Sequence, residues 1–143
     1  MRERWLRFYI MSPQDKILTL RAAVLLVFYA ASLRFLGLKR TLALGGRGSA
    51  DVAPAADGPG GTYPARAVAA VKRAGRVLGI GTCLSRSLTV RNLLQSAGIE
   101  AVVRLGARGN GTGFEAHAWV EYRGGTLDAD PDGLRYSAFP ARF

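Results

Sequence analysis

Cysteine occurs once in the 143 residues, and so does histidine. A single thiol excludes an internal disulfide framework, so the chain suits a reducing compartment and the cytoplasm is its expected location. One thiol and one imidazole fall short of a structural zinc set, so neither a metal nor a cofactor is expected. Acidic residues are scarce as well: 10 Asp and Glu stand against 20 Lys and Arg, a net charge of +10. Such a balance can serve nucleic acid, an anionic membrane surface or an acidic partner. The basic residues are scattered, however, and no recognised nucleic-acid motif accompanies them. Nucleic acid is therefore not an expected partner, and the bias reads first as the habit of an Arg-, Ala- and Gly-rich proteome.

Long apolar runs are missing too. The stretch Ala22–Leu33, between Arg21 and Arg34, holds twelve residues. As a helix it rises about 18 Å, short of the roughly 30 Å hydrocarbon core of a bilayer. It is similar to the apolar part of a signal peptide, but the preceding stretch is long and mixed in charge, and no clean small-x-small site follows. The expectation is a buried helix that touches a membrane or a partner. With 49% apolar and 21% charged residues, the chain can build one ordinary core. No internal repeat is visible.

Residues 13 to about 43 read as helical, with Pro13 in the first turn, Ser12 as cap and Gly37 as end or bend. Ile17, Leu18, Leu20, Val24, Leu25, Val27, Phe28 and Ala31 are expected to form a wide apolar surface that needs cover. The Gly-, Pro-, Ala- and Asp-rich segment 45–61 has no hydrophobic period and reads as a linker or long loop. Three parts result: a helical segment 1–44 packing on the core, a linker 45–62, and a core 63–143.

Within that core, a helix starts after Tyr63 with Pro64 in its first turn. Ala67, Val68, Val71, Ala74 and Leu78 are its buried stripe. The next helix begins at Cys83 with Thr82 as cap, carries Leu84, Leu88, Val90, Leu93, Leu94 and Ala97 at helical spacing, and stops at Gly98. From Ile99 the period changes to two: Ile99, Ala101, Val103 and Leu105 face one way, Glu100 and Arg104 the other. After the turn "ARGNGTG", a second strand runs from Phe114 to Tyr122, and "TLDAD" supplies a short third strand before Pro131.

The chemistry gathers on the two rare residues. The nucleophile is a thiolate, and the positive end of a helix favours an anion. Cys83 stands at such a helix start. A base must activate it, and His117, 34 residues later, lies on the less apolar side of the second strand with Glu115, Trp119 and Glu121. Trp119 could wall a substrate site there. The imidazole needs an acceptor to orient it. If Arg123 and Gly124 make a two-residue turn, Tyr122 pairs with Gly125, and counting back sets His117 opposite Asp130. Asp128 has the same parity and is the alternative third member. A three-residue turn would flip both aspartates to the other face. Singly, a buried Cys and a structural His would be ordinary. A helix-start Cys, a strand His and a next-strand Asp together form the layout that a Cys-His-Asp enzyme needs. The segment "GIGT" before Cys83 lacks the spacing of a dinucleotide-binding turn.

The segment "CLSRSLTVRNLLQSAGIEAVVRLG…FEAHAWVEYRGGTLDADPD" resembles the transglutaminase-like cysteine proteases of lasso-peptide biosynthesis, the leader peptidases of that system. The resemblance spans about residues 64 to 143. It rests on the Cys-Leu-x-Arg-Ser-Leu helix start, the Leu-Leu-x-x-x-Gly-Ile helix exit and the Ala-His-Ala-Trp-Val-Glu strand. The apolar N-terminal helix also looks like the family's. The implied fold is α+β: a transglutaminase-like, papain-like core whose Cys helix packs on a small antiparallel sheet, preceded by an apolar helix. The implied activity is a cysteine endopeptidase that cuts leader from core peptide, with Cys83 as nucleophile, His117 as base and an aspartate near 130 as orienter. The "YRGGTLDAD" stretch is one residue longer around its turn than the common pattern, which keeps Asp128 in play.

The resemblance further implies partners. Its fused form carries a leader-recognition domain, for which this chain has no room, so the split form is expected, with a separate leader-recognition protein. The precursor peptide is the substrate, and an ATP-dependent lasso cyclase takes the freed core. Two other activities stay open: a catalytically silent peptide-binding adaptor of the same fold, and an amine-transferring transglutaminase. The oxyanion hole is expected to use the Cys83 backbone N–H and a second donor that the sequence does not identify.

Overall fold

A computed structural model describes residues 11–44, 62–109, 111–127 and 137–142. In chain order these residues form α1 (Pro13–Phe35), α2 (Gly37–Leu44), α3 (Tyr63–Leu78), α4 (Cys83–Ser96), β1 (Val102–Gly109), β2 (Phe114–Tyr122), β3 (Gly125–Thr126) and β4 (Ser137–Arg142). The class is α+β, with the helices gathered against a four-stranded antiparallel sheet of order β3-β2-β1-β4.

The helix ends follow local chemistry. Ser12 caps α1 by accepting the Asp15 N–H at 3.2 Å, ahead of Pro13 in the first turn. Thr82 does the same for α4, accepting the Ser85 N–H at 3.3 Å. At the far end of α4 the Gly98 and Ile99 amides bond back to the Gln95 and Leu94 carbonyls, the left-handed closure expected there. The expected helix over 13–43 is two helices: α1 ends at Phe35 and α2 starts at Gly37.

One core joins all the layers. Leu18, Ala22, Leu26 and Tyr29 of α1 meet Ala67, Val71 and Ala74 of α3, Leu88, Leu93 and Leu94 of α4, and Val103 and Val120 of the sheet. Leu78, expected in the α3 stripe, is 40% exposed at the helix end. The α1 expectation needs a larger correction. Of its eight apolar positions named from sequence, Leu18 alone is buried and Leu25 is partly buried. The buried row is instead Leu18, Ala22, Leu26 and Tyr29, at spacings of four and three. The sequence hid this because α1 is apolar on both sides, so its pattern does not say which side faces inward. The helix is also longer than the twelve-residue apolar stretch: its 23 residues rise about 34 Å, and by length and composition alone it could cross a membrane.

Two neighbouring side chains therefore have opposite fates. Leu26→Ala should cost about 2–5 kcal/mol, since a fully buried side chain is lost and a cavity remains. Val24→Ala, at a site 63% exposed, should change stability by less than about 0.5 kcal/mol. Urea unfolding of both variants measures the contrast.

The sheet is built outward from β1. Every residue of β1 pairs with β2, from Val102 with Glu121 to Gly109 with Phe114, so β2 has the extent expected for it. The strand after Ile99 is confined to Val102–Gly109. β4 had no counterpart in the sequence reading. It pairs with β1 on the other edge, with a register shift between Arg104 and Gly106. Pro140 within β4 removes one ladder donor and masks a strand in sequence, yet an edge strand tolerates it. The 45–61 linker, like most of the "TLDAD" strand, lies outside the described residues.

Candidate active site

The first residue of α4 is the chain's only cysteine. Its turn is held from three sides. Thr82 receives the Ser85 N–H on its hydroxyl and the Arg86 N–H on its carbonyl, at 3.3 and 3.1 Å. The buried Ser85 hydroxyl donates to the same carbonyl at 3.1 Å, and Thr89 below it donates to the Ser85 carbonyl at 2.8 Å. Cys83 and Leu84 occupy the first two helical positions, whose amides have no acceptor within the helix. The thiol itself is half-buried and free of any disulfide.

The chain enters this turn through Gly81, a position that sequence reasoning passed over. Its φ of +107° lies where side chains are strained. A Cβ there would stand 3.1 Å from Leu26 Cδ1 and 3.4 Å from Arg86 Nε. The glycine thus lets α1 press against the entry to the cysteine turn. The "GIGT" segment, which fits no nucleotide-binding pattern, has a structural use here, and its isolated glycine before a capped helix was the available signal. The N-terminal helix consequently bears on the residues that fix Cys83.

His117 sits in the middle of β2, half-buried, opposite Gly106 of β1. Helix α4 packs against β2 and β1, so the cysteine helix and the histidine strand are neighbouring layers. Strand alternation gives His117 the face of Glu115, Trp119 and Glu121. Across the ladder, Arg108 pairs with Glu115 at 2.9 Å and Arg104 with Glu121 at 3.6 Å on that same face. The opposite face carries Ala118 and Val120, of which Val120 joins the helical core. The histidine therefore belongs to the polar side of its strand, as its neighbours in sequence imply, and its side chain leaves β2 on the face opposite Val120, which packs with α4. Trp119 is 8% exposed, and its ring lies nearly parallel to the imidazole, 6.3 Å between centroids and 19° between planes. The indole Nε1 donates to Glu121 at 3.5 Å. A buried indole in this place backs the imidazole.

The turn on which the third member depends is the two-residue one. Tyr122 pairs with Gly125, Glu121 with Thr126, and the Leu127 N–H donates to the Val120 carbonyl at 2.9 Å. Arg123 and Gly124 both have positive φ, 50° and 76°, the geometry that matches the twist of a hairpin. Asp128 and Asp130 lie outside the described residues. Among the described residues no group of three or more His, Cys, Asp or Glu converges as a metal site.

A capped cysteine helix resting on a histidine strand is a layout with relatives, and a transglutaminase-like superfamily model matches residues 22–139. The chain belongs to the transglutaminase-like superfamily. The matched region runs from α1 into β4 and contains both Cys83 and His117. The superfamily includes cysteine peptidases and transglutaminases. No curated protein and no solved structure matches the chain.

Proposed function

We propose that this transglutaminase-like protein is a cysteine peptidase that removes the leader from a ribosomally made lasso-peptide precursor. The observations that support the reading are the superfamily match and the only cysteine at the first position of a capped helix that adjoins the strand of the only histidine. The reading requires the imidazole, which strand alternation turns from the Val120 face, to reach the thiol past the edge of β2. Cys83 is the nucleophile and His117 the base. Asp130 is the proposed orienter, since a ladder continued without a bulge from Tyr122 and Gly125 sets it opposite His117; Asp128 is the alternative.

In the first half-reaction His117 holds the thiol proton while Sγ attacks the carbonyl carbon of the leader–core bond. The S–C bond forms, the C–N bond breaks, and the histidine passes the proton to the leaving amine. In the second half, water gives a proton to His117, its oxygen takes the acyl carbon, and the thiol is restored. The amides at the start of α4 are the natural donors for the developing oxyanion, Cys83 N–H first among them. No metal or cofactor enters the scheme. The reaction suits the reducing cytoplasm, where the thiol stays free. The partners belong to the same proposal: the precursor peptide, a separate protein that grips its leader, and the ATP-dependent cyclase that closes the core.

The test is mass spectrometry of a leader-bearing lasso precursor incubated with the full chain, with and without a leader-recognition protein. The expected products are two peptides whose masses sum to the precursor plus one water. Incorporation of an added primary amine at glutamine, with loss of ammonia, would instead assign a transglutaminase. Intact precursor under both conditions, with a folded protein that binds it, would assign the adaptor.

A further inference from the structure

We infer that the outer face of α1 is a docking surface for an anionic lipid bilayer, on which the protein lies peripherally. Ile17, Leu20, Val24, Val27, Phe28 and Phe35 are each between 46% and 80% exposed. Their spacings of three, four and seven place them along one side of the helix, opposite the buried Ala22 and Leu26. Leu38 and Leu44 carry exposed apolar surface on into α2. A continuous ridge of this kind on a water-exposed helix marks an interaction site.

Charge decides the occupant. No acidic residue occurs from Lys16 to Leu44, whereas Arg21, Arg34, Lys39 and Arg40 are all exposed in that span. The one acid of α1, Asp15, is turned to Arg66. An apolar ridge edged only by cations fits acyl chains below and anionic headgroups around it, with the long basic side chains reaching the headgroups. A second copy fits poorly, because two such faces would bring arginines together with no acid between them. A spanning arrangement is also disfavoured: the inner side of α1 is committed to α3 and α4, so the helix can immerse only its outer side, about 5–10 Å deep.

The experiment is co-sedimentation of the full chain with vesicles of phosphatidylcholine alone and of phosphatidylcholine mixed with phosphatidylglycerol. Binding should be at least about tenfold tighter to the anionic vesicles. Val24→Asp/Phe28→Asp should weaken it about tenfold or more while circular dichroism stays unchanged, since both sites are exposed. Arg21→Glu/Arg34→Glu should remove most of the preference for anionic lipid. Equal binding to both vesicle types, or full binding by Val24→Asp/Phe28→Asp, would overturn the inference. So would the absence of vesicle binding with a dimer, or with a complex with the leader-recognition protein, that the same aspartates dissolve. Vesicle binding needs nothing of the Cys83 chemistry, so it and peptide cleavage can fail separately.

Discussion

If the protein is the proposed leader peptidase, Cys83→Ala should abolish cleavage of the precursor while leaving the thermal unfolding midpoint close to that of the parent protein. Cys83 is half-buried at a helix start, and it lies outside the hydrophobic cluster, so truncating its sulfur removes little packing. The chemical loss is total for the covalent route, and kcat/KM should fall by about 10⁴-fold or more. His117→Ala should fall by a similar factor, and the double variant should be no worse than either single one, because the two groups act as a unit. Independent, additive losses would mean that the two residues do not share a reaction. Asp130→Asn separates the remaining alternatives. If Asp130 orients the imidazole, that change should cost about 10²–10⁴-fold in kcat with the fold intact, while Asp128→Asn costs little. The reverse pattern would transfer the role to Asp128. Neither catalytic variant should alter vesicle binding.

The parts of the site that could be read from sequence are those set by local rules. Thr82 before Cys83 is a cap preference, Gly98 is a helix stop, and the strand with His117 begins and ends where its composition changes. The two-residue turn at Arg123 and Gly124 was one of several readings. The structure decides for it because both residues adopt the positive φ that such a turn requires.

What could not be read depends on contacts between distant segments. The inward row of α1 is invisible when Val24 and Leu26 are equally apolar, and only the presence of α3 and α4 on one side separates them. β4 could not be found either, since its residues neither alternate nor avoid proline, and the edge of β1 supplies the order. Gly81 belongs to the same class. Its need for a bare Cα comes from Leu26, 55 residues earlier in the chain. These contacts also join α1 to the cysteine turn, which makes the apolar helix part of that turn's support.

Asp15→Ala should cost about 3–5 kcal/mol of stability by stranding a buried guanidinium. The Arg66 Nε lies 2.9 Å from Asp15 Oδ1, and the two side chains are only 7% and 15% exposed. The Ser12 hydroxyl donates to the other carboxylate oxygen at 2.9 Å, so one carboxylate anchors both the cap of α1 and the attachment of α3. Removing Asp15 leaves the charge of Arg66 in place with its solvation already lost. Replacing both, as Asp15→Leu/Arg66→Met, should recover most of the deficit, since apolar packing can substitute for a buried pair. The pair also sets a pH dependence. Burial pushes the Asp15 carboxyl up, but hydrogen bonds from Arg66 and Ser12, with the positive charge of Arg66 and Arg73, outweigh it and hold the group below its ordinary value of 3.8. A carboxyl lowered by folding stabilises the native state above its unfolded value. As pH falls through 3.8 toward the lower folded value, the unfolded chain takes up the proton first and that contribution is lost. Urea unfolding at a series of pH values should therefore show the parent protein losing stability below about pH 4. Asp15→Asn, weaker at neutral pH, should lose less over the same interval. If both proteins decline in parallel, the acid sensitivity lies in another carboxyl group and the pair contributes no pH-dependent stability.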